Sequence, residues 1–142
     1  MLRDEVKKYL DHELKHGDER ELYHYNCAQA ILFGSNDYFN LNLNEKALKL
    51  ITPFGGGMYT GNTCGMLTGG IAVIGVLFTE DMPTNHLQLK EITRLWIEQF
   101  TKEFNNINCS IIKDTNLKKN EGCRNLILKA ADILEVIIEK YI

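Results

Sequence analysis

Apolar residues recur every three or four positions along most of the chain, a spacing that places them on one face of an α-helix. The clearest stripes are Leu2, Val6, Leu10 and Leu14; Leu89, Ile92, Trp96, Phe100 and Phe104; and Leu126, Ala130, Ile133, Leu134, Ile137 and Tyr141. We expect the first helix to include Leu14 and to end at Gly17. No segment alternates apolar and polar residues convincingly, as a half-buried strand does. The pattern predicts an all-α fold, a single-domain compact bundle of five or six helices over residues 1–142.

Capping residues indicate where several of these helices begin, because their side chains accept hydrogen bonds from free backbone N–H groups. Asn26 is expected to cap a helix that runs from Cys27 toward Phe39. Asn44 should cap a short helix, and Thr84 should cap the long helix that contains the tryptophan. The apolar segment 64–78 is expected to form a further helix, and residues 113–122 a polar connection.

Charge and composition narrow the function classes. The 142-residue chain has 16 basic and 19 acidic residues, for a net charge of −3. We therefore expect no nucleic-acid partner, since no basic stripe is present. The first residues lack the apolar stretch of a secretory signal, and the apolar run 66–78 is too short to span a bilayer. We expect a cytoplasmic protein with no membrane insertion, and one whose apolar final turns would allow a homodimer.

Four cysteines provide the candidate chemistry. Cys27, Cys64 and Cys123 each follow a capping-type residue or a glycine and precede an apolar periodic run, so we expect them at helix starts. Cys109 is expected in a loop. Free N–H groups at a helix start stabilise a thiolate, so the pKa of such a thiol is expected to fall from about 8.5 toward roughly 3.5–7.5.

The cysteine spacings of 37, 45 and 14 residues contain no C-x-x-C pair, so a shared site requires that folding bring distant sulfurs together. In a reducing compartment, such a set more often forms a metal, cluster or catalytic site than a disulfide framework. Three interpretations remain open at this point. They are an iron–sulfur cluster for electron transfer, a thiol–disulfide exchange site with Cys64 as the attacking thiolate, and a structural Zn²⁺ bound by four sulfurs. The first two require a redox partner protein or a small redox molecule.

Glycines surround the second cysteine. Backbone N–H groups of Gly55, Gly56 and Gly57 could donate hydrogen bonds to a cofactor or to thiolates. Gly65 and Gly69 lie one turn apart on the predicted helix, where missing side chains permit a close approach of another helix or a cofactor. The alternative is that these glycines only allow a tight turn and a close helix crossing.

Histidines offer two weaker candidates. The segment from His12 to His16 matches the zinc motif H-E-x-x-H, but both imidazoles are expected to point away from the apolar stripe, toward solvent, which disfavours a metalloprotease. His24 precedes Cys27 by three residues and could act as a proton donor or a substitute ligand. The alternative for His24 is a partly exposed, hydrogen-bonded side chain.

Three segments, YNCAQA (25–30), FGGGM (54–58) and CGMLTG (64–69), followed by Cys109 and Cys123, resemble the C_GCAxxG_C_C family of "putative redox-active proteins". The resemblance covers nearly the whole chain after residue 20 in order and approximate spacing. It implies a small helical protein in which the four cysteines are the redox-active or ligating set and Gly65 and Gly69 are motif glycines. Related sequence in split-Soret-type cytochromes implies that these cysteines can hold an iron–sulfur cluster. Met66 stands where the family motif has alanine.

Overall fold

The computed structural model describes residues 1–84, 86–119 and 121–142, and within these ranges the chain forms seven α-helices. The helices are α1 (Leu2–Asp11), α2 (Cys27–Tyr38), α3 (Glu45–Lys49), α4 (Gly65–Phe78), α5 (Leu87–Phe104), α6 (Cys109–Asn116) and α7 (Arg124–Glu139). The strand-like pairing in those ranges is one isolated antiparallel bridge between Thr63 and Asn108. The all-α prediction is confirmed. The number of helices is seven rather than five or six because α6 forms where a loop and a polar connection were predicted.

The first helix is shorter than its apolar stripe predicted. Leu2, Val6 and Leu10 are buried, but α1 ends at Asp11, and Leu14 is 62% exposed. The following residues, His12–Tyr23, form 3₁₀ turns interrupted at Gly17, whose φ is 54°. None of the side chains in this segment is buried. The helix therefore stops where its apolar face no longer has a core to pack against.

The predicted caps at two of the three helix starts are confirmed. The Asn26 side chain accepts a hydrogen bond from Gln29 N–H, and the Gln29 side chain accepts one from Asn26 N–H, which completes a capping box. The Asn44 side chain caps α3 in the same way, accepting from Ala47 N–H. The long helix α5 begins at Leu87 rather than just after Thr84.

Helix α4 lies in the middle of the bundle and packs against α2, α5 and α7. Small residues on α4 permit these close approaches. A Cβ on Gly69 would lie 3.0 Å from Ala28 O of α2, and a Cβ on Gly70 would lie 2.6 Å from the Trp96 ring of α5. The Trp96 indole N–H donates to Leu67 O at 3.0 Å, which fixes α5 against α4. None of the helices in the described ranges has the length and apolar character needed to cross a membrane.

Candidate functional site

All four cysteines lie at helix N-termini. Cys27 is the first residue of α2 and Cys109 the first of α6, whereas Cys64 and Cys123 directly precede α4 and α7. The predicted helix starts at three cysteines are confirmed, and the loop predicted for Cys109 is wrong. The Asn108 side chain caps α6 by accepting from Ile111 N–H at 3.1 Å, just as Asn26 caps α2.

The four cysteines also line one cavity of about 520 Å³. Its apolar wall includes Leu10, Met66, Ile112, Leu117 and Ile127, and its charged lining residues are Glu13, Lys113, Glu121 and Arg124. Residues separated by up to 96 positions in the chain, from Cys27 to Cys123, therefore border a common space. Folding thus brings all four cysteines to the border of one cavity.

A pair of backbone hydrogen bonds joins the chain segments that contain Cys64 and Cys109. Cys64 N–H donates to Ile107 O at 2.7 Å, and Cys109 N–H donates to Asn62 O at 2.6 Å. Next to this bridge, the Ser110 hydroxyl donates to Gly61 O at 3.0 Å. These bonds hold the start of α4 beside the start of α6, although 45 residues separate the two cysteines.

The start of α2 is fixed to the glycine segment and to α4. Asn26 Nδ2 donates to Thr52 O at 3.0 Å, and a Cβ on Gly55 would lie 2.2 Å from Asn26 Cγ. A Cβ on Gly65 would lie 2.5 Å from Cys27 Sγ. Because both glycines lack a side chain, the capped end of α2 fits closely against the other two segments.

Cys123 is positioned through α7. The Arg124 guanidinium forms an ion pair with Asp11 at 2.6 Å, and α7 packs along α1. This pair connects the residue after Cys123 to the last residue of α1. The start of α7 is thereby held at the cavity, which Arg124 also lines.

The glycine segment forms an unusual turn rather than a random loop. Gly56, Gly57, Met58 and Tyr59 all have φ between 59° and 64°, the left-handed region. That conformation costs about 1–2 kcal/mol for a residue with a side chain, so glycine at the first two positions limits the cost. Gly55, Gly56 and Tyr59 line the cavity. A Cβ on Gly57 would instead lie 2.4 Å from Asn62 N, so this glycine packs against the backbone.

The thiol pKa values differ from the prediction. Burial raises the pKa of Cys64 to about 12, with a further increase from the neighbouring Cys27, while backbone N–H groups of Met66 and Leu67 lower it. Burial also raises the pKa of Cys109 and of Cys123, against an opposing effect of the Lys113 charge. The helix-start donors are present at Cys64, but desolvation outweighs them. The expected lowering is therefore wrong for Cys64 and Cys123, the two predicted helix-start thiols among these three.

The predicted attacking role of Cys64 also depended on access. Cys64 is 3% exposed and Cys109 is 5% exposed, whereas Cys27 and Cys123 are half-buried. The glycines near Cys64 admit other protein segments rather than solvent. Cys64 is thus a poor first nucleophile, both for its burial and for its raised pKa.

The structure places the histidine candidates in different surroundings. His24 lines the cavity, and its Nδ1 lies 3.1 Å from Glu13 Oε2. His12 and His16 are half-buried beside tyrosines, with the His16 ring stacked on Tyr23 at a centroid distance of 3.5 Å. Both imidazoles are partly exposed and lie outside the core, as expected, but each also packs against a tyrosine ring.

All four cysteines are free thiols. Within residues 1–84, 86–119 and 121–142, no three His, Cys, Asp or Glu side chains are grouped as a site for a single metal ion. The donor set nevertheless has the chemistry of an iron–sulfur site, since such clusters are typically held by four cysteine thiolates.

A family model described as "Putative redox-active protein (C_GCAxxG_C_C)" matches residues 25–137. The chain belongs to this family. The C_GCAxxG_C_C match begins two residues before Cys27 and includes all four cysteines, which confirms the resemblance inferred from the motifs. Met66, which departs from the motif alanine, is buried and lines the cavity beside Cys64. No curated protein and no solved structure matches the chain.

Sequence reasoning missed two charged residues of the site. Lys113 lies one turn after Cys109 on α6, and Arg124 directly follows Cys123. The dipeptide Asn108-Cys109 repeats Asn26-Cys27 and could have identified the start of α6. With that helix recognised, the four-residue spacing would have placed Lys113 on the same face as Cys109.

Proposed function

We propose that this protein transfers electrons through an iron–sulfur cluster ligated by Cys27, Cys64, Cys109 and Cys123. The observation that supports the proposal is that all four sulfur-bearing residues line a single cavity, each at a helix N-terminus. Four cysteine thiolates are the standard ligand set of [2Fe–2S] and [4Fe–4S] clusters. When bound, the cluster would supply one-electron chemistry.

Positive groups at the sulfurs would offset part of the charge of an anionic group in this cavity, which the carboxylates of Glu13 and Glu121 also line. A helix N-terminus carries a partial positive charge, equivalent to roughly half an elementary charge. Four such ends meet here, and the cations Lys113 and Arg124 line the same space. The cysteines must lose their protons to act as ligands, and these positive charges compensate the thiolate charge that results.

The remaining lining residues would control solvent and hydrogen bonding. Apolar side chains such as Met66, Ile112 and Ile127 limit water around the sulfurs. The backbone of Gly55 and Gly56 borders the cavity without side chains between it and the cysteines. N–H donors at such positions raise a reduction potential, because they stabilise the additional electron.

The electron donor and acceptor in this proposal are a redox partner protein or a small redox molecule, in the reducing cytoplasm that keeps the thiols available. Anaerobic purification followed by iron and acid-labile sulfide analysis tests the proposal directly. We expect iron and sulfide in near-equal amounts and a visible absorption that dithionite bleaches. A colourless protein with one zinc per chain would instead support the structural zinc alternative, and a metal-free protein would support thiol exchange.

Single serine substitutions identify the ligands. Cys27→Ser, Cys64→Ser, Cys109→Ser and Cys123→Ser should each lower the iron content or change the visible spectrum. Val136→Ser is a suitable control, because Val136 is exposed in the last turns of α7, about 20 Å along the helix from its start. Full iron content in any of the four cysteine variants would remove that residue from the ligand set.

A further inference from the structure

Cys27 Sγ lies against Gly65, the first residue of α4 and the one that follows Cys64. A Cβ on Gly65 would lie 2.5 Å from this sulfur, so the sulfur is within about 4 Å of Gly65 Cα, given a carbon–carbon bond of about 1.5 Å. Cys64 immediately precedes Gly65 and lines the same cavity as Cys27.

The two sulfurs differ in access. Cys27 is half-buried at the cavity wall, whereas Cys64 is 3% exposed. A small oxidant that enters the cavity therefore meets Cys27 before Cys64. The Cys27 charge raises the pKa of all three other thiols, so the selection of Cys64 rests on the contact at Gly65 rather than on electrostatics.

We propose that Cys27 and Cys64 form a disulfide in the cluster-free protein when a peroxide enters the cavity. The Cys27 sulfur attacks one peroxide oxygen, the O–O bond breaks, and hydrogen peroxide leaves one oxygen on sulfur as a sulfenic acid and the other as water. The Cys64 sulfur then attacks the Cys27 sulfur, the S–O bond breaks, and a second water leaves. Two thiols lose two electrons in total, and hydrogen peroxide gains them.

The disulfide does not depend on the identity of any cofactor. Its consequence does rest on the proposed function, because the bond would occupy two of the four proposed cluster ligands. Oxidised protein should then fail to take up iron and sulfide until a thiol reductant cleaves the bond by exchange. Reduction would return both ligands, so cluster assembly would depend on the redox state of this pair.

The sequence allows a direct test, because trypsin separates all four cysteines. Lys46 and Lys49 divide Cys27 from Cys64, Lys90 divides Cys64 from Cys109, and Lys113 divides Cys109 from Cys123. Metal-free, fully reduced protein is treated with one equivalent of hydrogen peroxide, alkylated, digested without reductant and analysed by mass spectrometry. We expect the peptide that contains Cys27 linked to the peptide that contains Cys64 as the main product. A main product with any other linkage, or no disulfide, would overturn the proposal.

Two variants test the order of the steps. Cys64→Ser should leave the sulfenic acid on Cys27, where a 1,3-diketone probe labels it. Cys123→Ser is the matched control and should retain the linkage of Cys27 to Cys64. If the probe labels Cys64 in Cys27→Ser protein as fast as it labels Cys27 in Cys64→Ser protein, the proposed order is contradicted. Iron and sulfide analysis of untreated anaerobic protein is a separate measurement, so the failure of one proposal is distinguishable from the failure of the other.

Discussion

Gly65 provides the space that Cys27 Sγ occupies: a Cβ added at residue 65 would lie 2.5 Å from that sulfur and 3.0 Å from Phe54 O. A real Cβ essentially never lies as close as 2.5 Å to a neighbour, and a 3.0 Å contact is unusually tight, so a side chain here forces a movement. The glycine of the family motif thus has a specific structural role at this position. It lets the starts of α2 and α4 meet at the cavity.

Replacing Gly65 by alanine should therefore damage the site. We expect Gly65→Ala to lower the free energy of unfolding by about 1–3 kcal/mol, the usual cost of overpacking, and to reduce iron uptake severalfold. Urea unfolding and iron analysis after anaerobic reconstitution measure the two effects.

Gly75→Ala is the matched control on the same helix. In the described part of the chain, no atom other than its chain neighbours and its own helix backbone lies within 4 Å of a Cβ placed on Gly75. This variant should raise the free energy of unfolding by about 0.5–1 kcal/mol, because alanine is the better helix residue, with iron uptake unchanged. Equal iron uptake by both alanine variants would show that the Gly65 contact does not matter to the site.

The two asparagine caps allow a second comparison. Asn26→Ala and Asn44→Ala each remove a helix cap, which costs about 0.5–2 kcal/mol of stability. Asn26 also donates to Thr52 O and closes a capping box, so its variant should lie at the upper end of that range. Iron uptake should fall in Asn26→Ala and remain normal in Asn44→Ala. A similar loss in both would indicate that general instability, not the position of Cys27, limits cluster binding.

Lys113 should influence the potential of the proposed cluster. Its charge lowers the pKa of Cys109 and of Cys123, so it stabilises negative charge at these sulfurs. We expect Lys113→Gln to shift the reduction potential to a more negative value, because the added electron loses a compensating positive charge. Lys102→Gln removes an exposed lysine of α5 and serves as the control. A redox titration monitored by visible absorption gives the reduction potential of each variant. Identical potentials for Lys113→Gln and Lys102→Gln would contradict the prediction.

Tyr9 should produce a specific pH dependence of stability. Burial raises the pKa of the Tyr9 phenol, as does its hydrogen bond to Asp37 Oδ2 at 2.6 Å. Because the folded state holds this proton more tightly than the unfolded state, the stabilisation is present below pH about 10 and is lost as the pH rises through the folded-state pKa. Tyr9→Phe should be less stable than the native protein at pH 7–9, and the difference should shrink above pH 10. Urea unfolding at several pH values measures the free energy of unfolding of both proteins. A difference between them that stays constant from pH 7 to above pH 10 would contradict this account.

Local sequence signals predicted much of the architecture. Asn26 and Asn44 were recognised as caps because the groups that they bond lie three residues away, within the same turn. The stripe of Trp96, Phe100 and Phe104 predicted the buried face of α5, and these residues are fully or almost fully buried. Two errors came from the same kind of signal. The apolar stripe extended α1 to Leu14, and the polar residues before Cys109 concealed the cap of α6.

The site itself could be predicted only in part. The sequence alone, through the spacing of its apolar residues and the caps before its cysteines, determined an all-helical chain with thiols at helix starts, because such features depend on neighbours within one or two turns. Only the tertiary structure decided that the four sulfurs share one cavity, since the bonds between Cys64 and Ile107 and between Cys109 and Asn62 join segments more than 40 residues apart. It also decided the thiol pKa values, because burial depends on what the rest of the chain places around each sulfur.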